Sequence, residues 1–146
     1  MISVTIKGRE IPLEYTTLEM LTIQEEVGPL SEVIALCCGR DPDAPEDTED
    51  RSKYGSKEHL KVLGGVVKIL GNAGLEINGQ EPNLTVKDVL RGISPGKIYE
   101  YSNACMDCMV RGMMSEIPKE KEEQKDARGR VDVGLEEMRK KDEAGG

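Results

Sequence analysis

The sequence predicts a mainly α-helical domain that opens with a short β-hairpin and closes in a charged, disordered tail. Three observations carry this. Between Thr16 and Pro118, apolar residues recur at spacings of three and four in five segments bounded by capping residues, Gly or Pro. Residues 2–15 alternate instead. Residues 119–146 are dominated by Lys, Glu, Asp and Arg, with Val131, Val133, Leu135 and Met138 as scattered apolar points.

Ile2, Val4 and Ile6, then Ile11, Leu13 and Tyr15, flank a Gly-containing turn, which is the signature of a hairpin. Pro12 confines its second strand to an edge. Two strands alone are marginal in water, so this pair must lie on an apolar body or extend another chain's sheet. Thr16 or Thr17 caps a first helix carrying Leu18, Met20, Leu21, Ile23 and Val27, and Gly28-Pro29 breaks it. Leu30, Val33, Ile34 and Cys37 make a second, ending at Gly39. The acidic, proline-broken stretch 41–55 is expected to be a mobile loop. Ser56 caps a third helix with Leu60, Leu63, Val66, Val67, Ile69 and Leu70 on its apolar face. Its Gly64, Gly65, Gly71 and Gly74 each cost close to ~1 kcal/mol against Ala, so this helix requires close packing to form. Asn78-Gly79 marks a turn, and Thr85 starts a short fourth helix. Ser94-Pro95 opens the last one, where Ile98, Tyr101, Cys105, Cys108, Met109 and Gly112 share a face until Pro118. Residues 1–118 are thus read as one helical domain and 119–146 as its tail.

Composition narrows the function. Four Tyr with no Phe or Trp leave few stacking platforms for bases, and a formal charge of -8 opposes nucleic-acid binding. No apolar run approaches the roughly 18 residues of a membrane span, and no signal pattern opens the chain. A cytoplasmic protein with reduced cysteines, acting on other proteins, fits these features.

No catalytic constellation stands out. Cys105 and Cys108 form a C-x-x-C pair, but Cys37 and Cys38 are adjacent, which is not a structural-zinc spacing. All four are read as core thiols, with no metal and no cofactor. His59, the single histidine, lies among Lys57, Glu58 and Lys61 and is read as a solvated helix residue. No phosphate-cradling Gly-rich motif exists. Met106, Met109, Met113 and Met114 make a soft apolar stretch that serves either a core or an adaptable partner surface. Met109, Met113 and Met114 are the candidate partner-binding residues.

The strand pair, the stretch Ile11-Pro12-Leu13-Glu14-Tyr15-Thr16-Thr17-Leu18-Glu19-Met20-Leu21, the segment from Lys68 to Glu76 and the tail from Val131 to Met138 resemble small prophage proteins of Gram-positive gut bacteria. Those look like tail assembly chaperones of long-tailed phages (siphovirus- or myovirus-like), counterparts of the G protein of lambda. The resemblance spans most of the chain and rests on phrases without invariant chemistry. It implies a non-enzymatic helical body that coats the tape measure protein, recruits the tail tube protein, works in the host bacterial cytoplasm and is absent from the mature virion. Self-association into a homo-oligomer is compatible with it. A ribosomal frameshift often adds a C-terminal domain to such proteins, and a chain ending in Ala144-Gly145-Gly146 would be the short form. Two rivals remain: a structural head-tail or tail component, and a cysteine-based metal or redox-sensing regulator, against which the absent basic patch counts.

Overall fold

Strands β1 (Ser3–Ile6) and β2 (Arg9–Pro12) pair antiparallel, with Val4 opposite Ile11 and Ile6 opposite Arg9. Their turn is Lys7-Gly8, both at positive φ (54° and 77°), the mirror-image turn whose twist suits a hairpin. The structure, a computed structural model, describes residues 2–45 and 50–114. The expected tail and the stop at Pro118 lie outside the described residues, as do positions 46–49 of the acidic loop.

The described residues hold five α-helices, α1 (Thr17–Glu26), α2 (Leu30–Cys37), α3 (Lys57–Ile77), α4 (Val86–Gly92) and α5 (Ile98–Met114), the last preceded by a 3-10 turn at Pro95–Lys97. The protein is therefore mainly helical with an N-terminal hairpin. Local chemistry sets the helix starts. Thr16 accepts the Leu18 amide while the Glu19 carboxylate takes the Thr16 N–H at 2.8 Å, a reciprocal cap. Ser56 Oγ accepts the His59 amide, and Thr85 Oγ1 that of Asp88.

Helix α3 is the axis of the core. Leu63, Val66, Val67, Leu70 and Leu75 are fully buried, each contributing roughly 1.5–3 kcal/mol. It packs against α1, α2, α4 and β2, and its glycines are where the neighbours come close. Gly64 faces Leu90 and Val86 of α4, Gly65 faces Val27, and Gly71 faces Leu84 and Ile11. At Gly74 the Pro12 carbonyl occupies the space a Cβ would need. Pro12 itself offers no N–H on this side, so β2 meets the helix without leaving a donor unpaired. The Glu14 N–H donates to the Leu70 carbonyl, 3.1 Å away, and Asn72 holds both backbone groups of Leu84. The hairpin thus lies on α3, as two strands require.

The flanks of the acidic loop carry their own bonds. Asp50 accepts the amides of Asp41 (3.0 Å) and Ser52 (3.1 Å), and these hold its exposed carboxyl below the usual range. Lys53 N–H closes onto the Gly39 carbonyl.

Candidate functional site

Two groups of side chains bear on function: a buried thiol and imidazole cluster, and an exposed apolar surface on α1 and α5. The first forms where α5 crosses α2 and the start of α3. Its pattern comes from α5, which buries Tyr101, Ser102, Cys105, Cys108 and Met109 along one face.

His59 is fully buried, which corrects its reading as a solvated residue. Its charged neighbours Lys57, Glu58 and Lys61 are exposed, but His59 precedes Val62, Leu63 and Val66 at helical spacing and continues their stripe inward. That periodicity was the available signal. Gly55 N–H donates to Nδ1 at 2.9 Å, so the ring proton of the neutral form sits on Nε2, which donates to Ser102 Oγ at 3.2 Å. Burial lowers the imidazole's pKa, opposed by the nearby Cys37 carbonyl. In this tautomer Nε2 gives a proton to Ser102 rather than taking one from it. Tyr54 covers the ring at 5.2 Å between centroids.

Cys37, Cys105 and Cys108 are buried, and Cys38 is half-buried. Cys105 and Cys108 therefore lie against other helices, as their spacing predicts. The thiols of Cys105 and Cys37 hydrogen-bond, and this contact with complete burial holds the Cys105 proton far above the ordinary range. Burial, then the Glu14 and Glu19 carboxylates, push Cys108 up to about 11. Among the described residues no group of three or more His, Cys, Asp or Glu is placed to hold a metal ion. On alkylation of the native protein near neutral pH, Cys38 should be modified well before the other three, because it is half-buried and they are buried. Equal rates at Cys38 and Cys105 would contradict the packing. Replacing Cys105 or Cys108 by Ala should cost about 1–2 kcal/mol each, read from urea midpoints.

The second group is at the surface. Met113 and Met114 are 57% and 52% exposed, as a partner surface requires. Met109 is 2% exposed and belongs to the core, so it leaves the candidate set. It lies four residues after Cys105 on the buried face of α5. Leu18 and Leu21 on α1, which the sequence did not single out, are 63% and 51% exposed. They face away from the buried Glu19 and Ile23, so α1 is apolar on both sides. Gly112 packs on Tyr15, just before the Thr16 cap, which sets the last turn of α5 beside the first turn of α1. Val110 is also exposed, on the face of α5 opposite Gly112.

No protein family, curated protein or solved structure gives a match to this chain.

No described helix is long and apolar enough to cross a membrane. The other part of the expected interaction surface, the hairpin, packs on the body: β2 abuts α3, β1 contacts α4, and the Thr5 carbonyl accepts from the Tyr101 hydroxyl of α5.

Proposed function

We propose that the protein is a non-enzymatic binding protein that shields apolar helical segments of a partner, and specifically a tail assembly chaperone of a long-tailed phage. The observation that carries this reading is the exposure of Leu18 and Leu21 on α1 and of Met113 on α5, whose neighbouring ends meet at Tyr15 and Gly112. Large apolar side chains clustered at a surface mark interaction sites. Leucine and methionine have flexible, unbranched or γ-branched side chains that adapt to varied helical surfaces.

The partner of such a site is the tape measure protein, whose long apolar helices aggregate when bare. Several copies of a chain with net charge -8 would keep the coated partner soluble by mutual repulsion. Recruitment of the tail tube protein, action in the host cytoplasm and absence from the mature virion follow from the sequence resemblance and belong to the same proposal.

Leu18→Glu combined with Met113→Glu tests it. Both side chains are exposed, so the variant should fold with an unchanged far-UV spectrum. Co-expressed tape measure protein should lose roughly tenfold in its soluble fraction, equivalent to about 1.4 kcal/mol of binding. Unchanged partner solubility, or stoichiometric recovery of the chain from purified mature tails, would favour a structural virion component instead.

A further inference from the structure

The C-terminal end of α3 closes on a chemically reactive pair of residues. Asn78 is the cap residue and Gly79 follows it at φ 76°, both exposed. The Gly79 N–H donates to the Glu76 carbonyl at 3.0 Å and the Gln80 N–H to the Leu75 carbonyl at 2.7 Å, the paired closure that a glycine in the left-handed region allows. The Asn78 side chain adds a further bond, its Nδ2 donating to the Gly74 carbonyl at 2.7 Å. Of the asparagines, Asn72 and Asn103 precede Ala and Asn83 precedes Leu, so Asn78 alone is followed by Gly. With no Cβ beside it, the Gly79 backbone nitrogen has the least hindered approach to the side-chain carbonyl carbon of the asparagine before it.

We propose that Asn78 is a site of spontaneous modification, its side-chain amide converted to an acid through attack by the Gly79 nitrogen, with the closed cap of α3 setting the rate. That nitrogen gives up its proton to solvent base and bonds to Asn78 Cγ. The Cγ–Nδ2 bond breaks, and ammonia leaves after taking a proton from water. Water then opens the resulting cyclic imide at either carbonyl, giving aspartate or isoaspartate. In sum, water is consumed and ammonia released, with no oxidant and no enzyme. The native cap opposes the first step, because the Gly79 N–H is held by Glu76 and Nδ2 by Gly74, and the ring closes only when both have let go. The rate therefore follows the local opening of this helix end.

The product cannot rebuild the cap. A carboxylate has no N–H for the Gly74 carbonyl. It also adds negative charge at the carbonyl end of the helix, beside Glu76 and with no basic residue in the last turn to offset it. Isoaspartate further lengthens the main chain by a methylene, which misplaces the closing N–H groups. Gly74 is also the residue against which the Pro12 carbonyl lies, so the loosened turn is the one that seats the hairpin. None of this rests on the apolar surface of α1 and α5.

The test is to hold the full chain at mildly alkaline pH in native buffer and in denaturing urea. After digestion, the peptide containing Asn78 is followed by mass spectrometry, with isoaspartate counted by enzymatic carboxyl methylation. In urea, Asn78 should convert ahead of Asn72, Asn83 and Asn103, and Gly79→Ala should slow it several-fold, folding being irrelevant there. In native buffer the conversion should be at least about tenfold slower than in urea. Asn78→Asp, which installs the product, should lower the urea midpoint below that of Asn78→Ala, which removes the same hydrogen bond without adding charge. Equal rates in the two conditions, or another asparagine leading in urea, would overturn the assignment whether or not the variants fold. An Asn78→Asp midpoint at or above that of Asn78→Ala would overturn the effect on the cap.

Discussion

Gly74→Ala should lose about 3 kcal/mol or more of stability, the top of the range for overpacking, although Ala gains close to ~1 kcal/mol over Gly in a helix. The added methyl would meet the Pro12 carbonyl and press on the Leu13 amide, and backbone cannot rotate out of the way as a side chain can. The hairpin would have to lift off α3. Two controls separate this from helix propensity. Gly65→Ala meets only Val27 Cγ2, at 3.0 Å, and should come out near neutral. Gly96→Ala has no neighbour within 4 Å and should stay within about 0.5 kcal/mol. Urea midpoints of the three variants make the comparison, and equal values for Gly74→Ala and Gly65→Ala would refute the docking of the hairpin.

His59→Leu should cost about 2–3 kcal/mol at neutral pH, because the Gly55 N–H and the Ser102 hydroxyl lose a buried partner. It should also abolish an acid sensitivity of the native protein. The folded imidazole has its pKa lowered from 6.5, so just below that pH the unfolded chain binds a proton that the folded one refuses. Stability is then complete above about pH 6.5 and falls as the pH drops toward 5. The exposed carboxyls of Asp50, Glu58 and Asp88 are lowered too, but they act in the more acidic range where carboxylates titrate. Urea midpoints at about pH 7.5 and 5 should differ for the native chain and coincide for His59→Leu. A slope that survives the substitution would assign the sensitivity elsewhere.

Most of the architecture was legible because its signals are local. Thr16, Ser56 and Thr85 are capping residues read directly from sequence, and each starts a helix where expected. The glycines of α3 could be read as a demand for close packing, but which neighbour each one meets depends on tertiary contacts. The candidate surface was read less well. Met109 and Met113 are four residues apart and look equivalent in sequence, yet one is core and the other surface, because α5 outlasts the body that covers it. His59 misled for the opposite reason: its neighbours in sequence are charged, whereas its neighbours in space are Tyr54, Ser102 and the α2 end. Leu18 and Leu21 escaped notice because an apolar residue on a helix is ordinarily read as core.

The bond from Tyr101 to Thr5 joins residues 96 apart in the chain. Loop closure over that distance is entropically costly, and its reward arrives only when α5 is present. During synthesis, then, the hairpin is made well before the helix that supplies this bond. Until residue 101 has emerged, the nascent hairpin carries the Thr5 carbonyl without its donor, and until α3 has emerged Ile11 and Leu13 have nothing to lie on. A truncation before α5 should therefore leave the hairpin on α3 but take the Tyr101 hydroxyl from the Thr5 carbonyl.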